Sequence, residues 1–456
     1  MPPILLPAAV RQIIARLESS GHSAYAVGGC VRDSLLSRTP KDWDLCTDAL
    51  PQQVLSLFAD CRPIPTGLAH GTVTVPWAGS LYEITTFRTE SGYTDSRHPD
   101  RVTFVRSLGQ DLARRDFTVN AMAYHPREGL CDPFHGWDDL QNGVLRCVGD
   151  PDTRFGEDAL RILRGLRFAA LYHLTPEPCT ESALHRHRQA LLQVAPERLL
   201  PELTGLLCSP LPGALLETCA DILFVLLPEL ADQLGFPQHN PHHYLDVWHH
   251  TLAVVDAVPP LVPLRLAALL HDVAKPSCAS VDAAGISHFY GHPAKGARMA
   301  DAICRRLRCD GALRHRVVRL IELHDERTTP TLPAVRRLMR RTELPVLRQL
   351  FLLQRADAAG QAPATRPAKF ARIAQVEALV SRVLDEGLCF TTRQLCVNGD
   401  DLAAIGVARG PQMGLFLERL LDEVVDERLE NNRQALLSQA VRWLASPGEN
   451  SQKSHK

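Results

Sequence analysis

Apolar and polar positions divide the chain into two parts with different periodicities. In the first part, residues 24–27, 72–75 and 81–87 form short runs rich in β-branched and aromatic side chains, which favour strands. From about residue 155 onward, apolar residues recur every three or four positions, as in residues 160–169, and this continues almost to the end. The pattern predicts an α+β fold, in which a head with a mixed sheet and helices precedes all-α modules.

Clusters of proline and glycine mark the expected boundaries between modules. One cluster lies near residues 230–243 and a second lies near residues 360–367. The predicted modules are a head over residues 1–150, a helical neck over 151–235, a helical domain over 236–362, a C-terminal helical body and tail over 363–445, and a disordered end over 446–456.

Composition narrows the class of protein. The 456 residues carry a formal net charge of −1, so any nucleic-acid-binding surface would have to be local. The 13 cysteines are scattered and odd in number, which fits a reducing compartment better than a disulfide scaffold. The sequence has neither a signal-peptide pattern nor an apolar run that could span a bilayer, so we expect a cytoplasmic protein that acts without a membrane.

An early Gly-Gly-Cys-Val-Arg-Asp segment has the features of a phosphate-binding turn. Gly28 and Gly29 lack a Cβ, so backbone N–H groups can approach a phosphate, and Arg32 can clamp its oxygens. Asp42 and Asp44 follow at i and i+2, and on a strand both carboxylates would point to one face. Paired hard oxygen ligands suit Mg²⁺, which takes the rest of its ligands from water and phosphate.

Each half of this pattern has a structural alternative. A Gly-Gly pair is often only a turn, and Asp-x-Asp is common on solvated strands. Together, after the strand-like residues 24–27, they favour a metal-dependent site for nucleotidyl transfer. Glu83 on a later predicted strand is either a further ligand of this site or an ordinary surface glutamate.

These residues resemble the head of the class II tRNA nucleotidyltransferases, the CCA-adding enzyme family, and of the related bacterial poly(A) polymerases. Further matching segments follow in the expected order at residues 70–75, 86–99, 114–121, 132–136, 157–161 and 197–202, and the similarity is dense over the first 230 residues. The resemblance implies an enzyme that adds C, C and A to the 3′ end of tRNA from CTP and ATP. It also implies Mg²⁺ as cofactor and no obligatory protein partner.

The resemblance implies roles for individual residues of the head. Asp42 and Asp44 would hold two Mg²⁺ ions during nucleotidyl transfer. Arg115, Asp116 and Asn120 would contact the phosphates and sugar of the incoming nucleotide. The structural alternative is a salt bridge at the start of a helix, with Asp116 as the N-cap of the helix that contains Asn120.

A predicted helix over residues 157–167 carries the side chains that would read the base. Asp158, Arg161, Arg164 and Arg167 follow at three-residue steps, so neighbouring members would touch. A carboxylate only accepts hydrogen bonds and a guanidinium only donates them, so Asp158 beside Arg161 would select cytosine and adenine against uracil and guanine. Arg164 and Arg167 would reach phosphates or support Arg161. The alternative is a solvated ladder of ion pairs.

These motifs leave the product open, because poly(A) polymerases carry a similar helix. By resemblance, the intact loop between Arg88 and Arg101 favours full CCA addition. Poly(A) polymerases usually have a strongly basic C-terminal extension, which this chain lacks. A second alternative is a phosphohydrolase or RNA-binding protein whose head is inactive.

A second group of residues resembles an HD domain, a helical metal-dependent phosphohydrolase fold. Its members in chain order are His250, His271, Asp272, His292, His324 and Asp357, with Lys275 one turn after the His-Asp pair. Imidazole and carboxylate ligands of this kind suit Mn²⁺, Ni²⁺ or Fe²⁺. The alternatives are structural histidines and a vestigial site, because Pro293 departs from the acidic or polar residue expected after His292.

Two later segments are candidates for holding RNA. Residues 304–341 contain eleven arginines against four acidic residues, which favours either a phosphate-binding face or a solvated helix surface. Residues 398–402 and 410–414 resemble the tail module of the family, in which glycines at a helix start can approach phosphates. A packing role for Gly414 is the alternative.

Overall fold

The computed structural model describes residues 4–92 and 101–445, which divide into two compact units. The first comprises the described residues up to Asp232 together with Ile303–Cys309, and the second comprises Gln233–Ala302 and the described residues from Asp310 onward. The expectations for residues 93–100 of the loop and for residues 446–456 lie outside the described residues. The finer predicted division into head, neck, third domain and tail remains a prediction.

The first unit begins with a sheet and continues into helices. Its strands are β1 (Ala24–Val27), β2 (Leu45–Thr47), β3 (Ile64–Gly67), β4 (Thr72–Trp77), β5 (Ser80–Thr86), β6 (Arg88–Ser91), β7 (Arg101–Phe104), β8 (Ala123–His125), β9 (Gly129–Cys131), β10 (Val144–Leu145) and β11 (Thr175–Pro176). Its helices are α1 (Ala8–Ser19), α2 (Gly29–Leu35), α3 (Pro51–Leu57), α4 (Leu108–Ala113), α5 (Gly136–Gln141), α6 (Pro151–Glu157), α7 (Leu160–Tyr172), α8 (Pro178–Arg186), α9 (Pro196–Leu207), α10 (Gly213–Thr218) and α11 (Ala220–Leu226).

The second unit is helical apart from one short strand pair. Its elements are α12 (Val247–Ala257), α13 (Val262–Leu270), β12 (Ser280–Val281), β13 (Ser287–His288), α14 (His292–Arg306), α15 (Gly311–Leu323), α16 (Leu332–Arg341), α17 (Leu344–Gly360), α18 (Arg366–Asp385), α19 (Gly399–Ala404), α20 (Pro411–Val425) and α21 (Arg433–Ala445). The last residues of α14 are grouped with the first unit. Within the described ranges, no helix combines the length and hydrophobicity that a bilayer crossing requires.

Seven strands of the head form one sheet in the order β3-β4-β5-β2-β1-β8-β9. Neighbouring strands are antiparallel except for β2 and β5, which are parallel with Leu45 opposite Ile84. This register brings the residue before β2 close to the residue before Ile84. Asp44 and Glu83 therefore lie side by side at one end of the central strand pair.

The core of the head lies between this sheet and the helices that pack on it. One face of α1 supplies Val10, Ile13, Ile14 and Leu17, which are buried at the spacing of an amphipathic helix. A second cluster joins buried residues of the central strands to α4; its members include Val27, Cys46, Phe87, Leu112 and Ala123. The turns that carry the candidate chemistry thus start from rigid, buried strands.

The predicted α+β fold is confirmed, and the predicted strands at residues 24–27, 72–75 and 81–87 correspond to β1, β4 and β5. The predicted continuous helix over residues 157–167 is wrong. Asp158 is extended, with φ −146° and ψ 104°, and separates α6 from α7. Its Oδ1 accepts the N–H of Leu160 at 3.1 Å, and this local bond offers the backbone an alternative to a continuous helix.

Replacing Gly136 by alanine is expected to destabilise the first unit strongly, because a Cβ at this position would lie 2.1 Å from the carbonyl oxygen of Thr118. The matched control is Gly156→Ala in α6, where a Cβ would meet no atom within 4 Å. We expect a loss of about 2–4 kcal/mol in the free energy of unfolding for Gly136→Ala and no loss for the control. Urea unfolding measures both values, and equal stabilities of the two variants would contradict the close approach of Gly136 to Thr118.

Candidate active site and metal centre

The Gly-Gly turn joins β1 to α2 and faces an arginine. Gly28 has φ +80°, a conformation that favours glycine, and it is the N-cap of α2, which Gly29 begins. A Cβ on Gly28 would lie 3.0 Å from Nη1 of Arg115. The turn therefore places the first N–H groups of α2 and the Arg115 guanidinium on the same side of Gly28. Hydrogen-bond donors and positive charge at one place suit an anion.

Arg32 has a different environment from the one expected of a phosphate clamp. Its side chain is buried at 5% exposure and donates to Oδ1 of Asn120, to Oδ1 of Asp33 at 2.8 Å and to the Tyr172 hydroxyl at 2.5 Å. Its guanidinium also lies 4.2 Å from the centre of the Tyr172 ring. These contacts fix α2 against α7, and a direct contact of Arg32 with phosphate remains a prediction.

Asp42 and Asp44 lie directly before β2 instead of on a strand, although the N–H of Val27 donates to the carbonyl of Asp44 at 3.0 Å and extends the pairing. Partial desolvation raises the pKa of Asp44 to about 6, the negative charges of Asp42 and Glu83 add to this shift, and Arg115 opposes it. Asp42, Asp44 and Glu83 are all exposed. A divalent cation between these carboxylates would remove the repulsion, so the site fits Mg²⁺.

The arginine pair that follows α4 surrounds a buried aspartate. Asp111 accepts from Arg114 at 2.9 Å, from Arg115 at 3.3 Å and from the N–H of Arg88 at 3.3 Å. The Nε of Arg115 is buried and has no partner among the described residues. Both arginines thus form salt bridges with Asp111 at the end of α4, instead of the predicted salt bridge at the start of a helix. Arg115 keeps donor capacity beside Gly28 and Asp44.

Asp116 links the neighbouring segment to α7. Its Oδ1 accepts the N–H of Phe117 at 2.8 Å and the side-chain amide of Asn120 at 3.1 Å, and its Oδ2 accepts two bonds from Arg164 at 2.8 and 3.0 Å. Burial opposes ionisation, but Arg164 and these donors lower the pKa of Asp116 to about 2. The expected N-cap role is wrong, because the single 3₁₀ turn Thr118–Asn120 has Phe117 as its N-cap.

The predicted base-reading residues are held by partners that the sequence analysis had not assigned. Asp158 Oδ2 accepts from Arg198 of α9 at 2.7 Å, and Arg161 donates to Glu157 at 2.5 Å. Arg161 also donates to the carbonyls of Arg154 at 3.1 Å and Arg114 at 3.2 Å. The backbone N–H of Arg161 bonds to the carbonyl of Asp158 at 3.0 Å, so the two residues remain adjacent although their side chains have separate ionic partners.

Arg164 and Arg167 share an acidic partner on α9. Glu202 accepts from Arg164 at 3.4 Å and from Arg167 at 2.5 Å, and the Arg167 guanidinium lies over the Phe168 ring at 4.4 Å. In this structure these two arginines join α7 to α9 through Glu202. The segment 197–202 had been noted by resemblance, but nothing in its spacing predicted that Arg198 and Glu202 would face α7.

The second unit brings the six predicted HD residues together. His250 lies on α12, His271 and Asp272 follow α13, His292 begins α14, His324 follows α15 and Asp357 lies on α17. Two groups of ligand atoms each lie within 4.8 Å of one another, and Asp272 belongs to both: His250, His271 and Asp272 form one, and Asp272, His292 and His324 form the other. The Oδ1 of Asp357 lies 3.0 Å from Nε2 of His250.

Hydrogen bonds at Nδ1 fix the orientation of the four imidazole rings. Each Nδ1 faces a backbone carbonyl: His250 faces Gly360 at 3.3 Å, His271 faces Ala268 at 2.8 Å, His292 faces Phe289 at 2.8 Å and His324 faces Ile321 at 2.6 Å. An Nδ1–H that donates to a carbonyl leaves the Nε2 lone pair pointing inward, which is the usual arrangement of metal-binding histidines.

The inward-facing atoms of this cluster lie close together. Nε2 of His271 lies 3.0 Å from Oδ2 of Asp272, which also pairs with Lys275, and Nε2 of His292 lies only 3.2 Å from Nε2 of His324. Oδ1 of Asp272 is buried without a hydrogen-bond partner among the described residues. A buried acceptor without a partner and two converging lone pairs are costly unless a cation lies between them. The donor set therefore fits a divalent metal better than a purely structural role.

A cavity of about 630 Å³ opens over this cluster. Basic side chains that line it are Lys275, Arg327, Lys369 and Arg372. Lys275 Nζ lies 2.7 Å from Asp272 Oδ2. Burial by itself would raise the pKa of that carboxyl, but His271 and Lys275 hold this pKa well below its ordinary value. The cavity combines a candidate metal centre with positive charge, which suits a phosphate ester.

The arginine-rich stretch 304–341 uses many of its guanidinium groups within the protein. Arg306 pairs with Glu229 at 2.7 Å, Arg341 with Glu326 at 2.6 Å and Arg340 with Asp422 at 2.6 Å. The buried Arg336 donates to the carbonyl of Cys389 at 2.7 Å. These contacts favour the structural alternative for this stretch. In the tail, Asn398 caps α19 and Gly410 caps α20 with φ +117°.

Two family models match the chain. The Poly A polymerase head domain covers residues 24–146, and the putative tRNA nucleotidyltransferase domain 2 covers residues 298–440. Neither model is an HD domain, so that assignment of the second unit remains a prediction.

The chain is similar to CCA-adding enzymes in sequence and fold. The enzyme of Lactobacillus helveticus is 49% identical over 190 residues, 42% of this chain and 47% of the relative. That of Lactiplantibacillus plantarum is 46% identical over 226 residues, 49% of this chain and 55% of the relative. The chain thus matches about half the length of these curated relatives.

Solved structures extend the similarity beyond the head. The Bacillus stearothermophilus CCA-adding enzyme in complex with CTP covers 98% of this chain and 100% of its own, with a TM-score of 0.75 and 28% identity. The Thermotoga maritima enzyme complexed with tRNA-CCA shares the fold at a TM-score of 0.61 and 19% identity. The resemblance inferred from the motifs is confirmed, whereas the roles of individual residues remain predictions.

Asparagine in place of Asp44 is expected to stabilise the metal-free protein at pH 8. The raised pKa of about 6 means that the ionised carboxyl is disfavoured in the folded head. The stability that its protonated form contributes is fully present below pH 4 and is lost as pH rises through 6. Because solvent screens this exposed residue, we expect a gain of about 1 kcal/mol for Asp44→Asn at pH 8 and none at pH 4.

Urea unfolding in EDTA measures this difference, with Asp385→Asn on the exposed surface of α18 as the matched control. Adding Mg²⁺ at pH 8 should reverse the advantage of the variant, because the cation binds the ionised carboxylate. An Asp44→Asn protein that is less stable than the wild type in EDTA at pH 8 would contradict the clustered carboxylates.

Proposed function

We propose that this chain is a cytoplasmic enzyme that adds C, C and A to the 3′ end of tRNA from CTP and ATP without a nucleic-acid template. The observation that carries the proposal is the pair of bonds from Arg164 to Asp116, at 2.8 and 3.0 Å. This pair holds the nucleotide-binding segment against the helix that follows the base-reading aspartate. Similarity to a CTP-bound CCA-adding enzyme along the whole chain supports the same function.

The reaction is assigned to the carboxylates at the start of β2. Asp42 and Asp44 would hold Mg²⁺, and Glu83 beside them would be a further ligand or would orient one. When bound, the ions supply Lewis-acid stabilisation to the attacking 3′-hydroxyl and to the leaving pyrophosphate. Gly29 and Arg115 would provide an N–H donor and positive charge for the triphosphate at the turn that Gly28 makes possible, while the N–H of Gly28 itself donates to the carbonyl of Met122 at 3.0 Å.

Nucleotide choice is assigned to Asp158 and Arg161. Cytosine and adenine each present an amino donor beside a ring-nitrogen acceptor, which complement a carboxylate and a guanidinium. Uracil and guanine present the opposite order, so donor would face donor and acceptor would face acceptor. A buried mismatch of this kind costs several kcal/mol, on the order of 3, which is enough for useful selection without a template strand.

A poly(A) polymerase is the alternative product assignment, and substrate tests separate the two. With tRNA that lacks its terminal CCA, we expect CTP and then ATP incorporation that halts after three residues. Unlimited addition of ATP would support the poly(A) polymerase. Absence of any incorporation would support an inactive head that serves another function.

The variant Asp158→Ala is expected to blur selection among the four nucleotides while Mg²⁺ binding is retained. Loss of the carboxylate removes the acceptor that distinguishes an amino group from a carbonyl, so we expect discrimination against UTP and GTP to fall by roughly 10–100-fold. Steady-state incorporation of each nucleotide into tRNA measures this change. Asp152→Ala is the control, because Asp152 pairs with Arg186 on the surface of the same neck. Wild-type rejection of UTP and GTP would refute the assignment.

A second activity is proposed for the metal centre of the second unit, namely hydrolysis of phosphomonoesters or 2′,3′-cyclic phosphates such as those at damaged tRNA ends. The specific observation that favours it is the unpaired Oδ1 of Asp272 and the converging Nε2 atoms of His292 and His324 beneath a basic cavity. His250, His292, His324 and Asp357 would complete the ligand set for Mn²⁺, Ni²⁺ or Fe²⁺.

Replacing Asp272 by alanine is expected to abolish metal binding in the second unit, because this carboxylate belongs to both ligand groups. Metal analysis after dialysis against Mn²⁺ or Ni²⁺ should find less bound metal than in the wild type, and phosphatase activity should fall by at least 100-fold. The exposed Asp385→Ala is the matched control. Equal metal content and equal rates in wild type and variant would eliminate this second function, and CCA addition by the variant should persist.

A further inference from the structure

The aspartate assigned to base reading has a cationic partner from a different helix. Asp158 lies in the extended gap between α6 and α7, and Arg198 reaches it from the first turn of α9 with a bond of 2.7 Å to Oδ2. Both side chains are largely buried, with 17% and 23% exposure. This is the closest described cation to Asp158, and it lies 40 residues away in the chain.

We propose that Arg198 is a specificity-determining residue, which holds the Asp158 carboxylate in a fixed orientation so that its acceptor oxygens face the base. The inference rests on the proposed base-reading function of Asp158. It assigns to Arg198 a positioning role that acts through Asp158.

The chemistry of a carboxylate explains why its orientation matters for selection. A carboxylate only accepts hydrogen bonds, so it pairs with the amino group of cytosine or adenine and has no proton for the carbonyl oxygen of uracil or guanine. This selection requires the acceptor oxygens to face the edge of the base. A partner that fixes the orientation of the carboxylate therefore protects the discrimination between the two pairs of bases.

The geometry leaves room for the base. A carboxylate offers about four acceptor positions, and the described bonds from Leu160 N–H and Arg198 use one on each oxygen. Arg198 can thus remain bound while Asp158 accepts an amino group. The Leu160 N–H at 3.1 Å and the Arg198 guanidinium hold the carboxylate from two directions, which fixes its plane before a nucleotide arrives.

The complementary residue is held in a similar way. Arg161 donates to Glu157 at 2.5 Å and to two backbone carbonyls at 3.1 and 3.2 Å. Each half of the reading pair has its own opposite charge, which explains why Asp158 and Arg161 do not need to neutralise each other.

The charged groups described around Asp158 come from two helices. Arg198 belongs to α9, and Arg164 of α7 interacts with Asp158 at longer range. Removing Arg198 leaves Arg164, which is already bound to Asp116 and Glu202. Of its described hydrogen bonds, the Asp158 carboxylate would then keep the one from the Leu160 N–H, so its orientation would be less fixed and misincorporation should rise.

The test compares Arg198→Met, Arg198→Gln and Arg198→Lys with Asp158→Ala, and uses Arg186→Met as the matched control. Arg186 forms an exposed pair with Asp152 in the same neck. The readout is kcat/KM for UTP relative to CTP on tRNA that lacks CCA. Thermal unfolding identifies any variant that fails to fold, and the Gln variant substitutes for the Met variant in that case.

We expect the Met and Gln variants to raise the UTP-to-CTP ratio about tenfold. The Lys variant should restore most of the discrimination, and Arg186→Met should behave as the wild type. Equal losses for CTP and UTP would mean that Arg198 only joins helices, and would overturn the proposal. If selection is unchanged in the Arg198 variants but blurred in Asp158→Ala, the proposal for Arg198 is overturned and base reading by Asp158 stands. Unchanged selection in all of them would overturn base reading itself.

Discussion

The ion pair between the buried Asp116 and the half-buried Arg164 is the constraint on which the candidate active site depends. Asp116 is 8% exposed, and it bonds to α7 through Arg164 and to its own segment through Phe117 and Asn120. Asn120 in turn accepts from Arg32 of α2. One carboxylate thus ties the Gly-Gly turn, the nucleotide-binding segment and the start of the neck together. Removing Arg164 would leave the buried charge of Asp116 without its cation, at a cost below the roughly 3–5 kcal/mol of a fully buried pair.

This constraint gives several charged residues a structural role beside any chemical one. Arg32, which was expected to clamp phosphate, supports Asn120 and Tyr172. Arg164 and Arg167 are balanced by Glu202, so positive charge near the nucleotide site is held in place before substrate binds. Preorganised charge of this kind stabilises a developing transition state without reorganisation during the reaction.

Sequence reasoning succeeded where chemistry is local and failed where it depends on distant partners. The strand before Gly28 is a short-range pattern and is confirmed. Asp42 and Asp44 lie before β2 instead of on a strand, and the roles of these carboxylates and of the HD residues remain predictions. The break at Asp158 and its ion pair with Arg198 were missed, because a partner 40 residues away leaves no periodic signal. The arginines of residues 304–341 were equally ambiguous until their acidic partners were known.

The most direct measurement of the central claim is a structure of the protein with CTP and Mg²⁺. The account predicts that the triphosphate contacts Arg115 and the start of α2, that the metal lies between Asp42 and Asp44, and that the cytosine edge faces Asp158 and Arg161. A cytosine bound away from Asp158 and Arg161, with its triphosphate still on the carboxylates, would contradict selection by protein side chains.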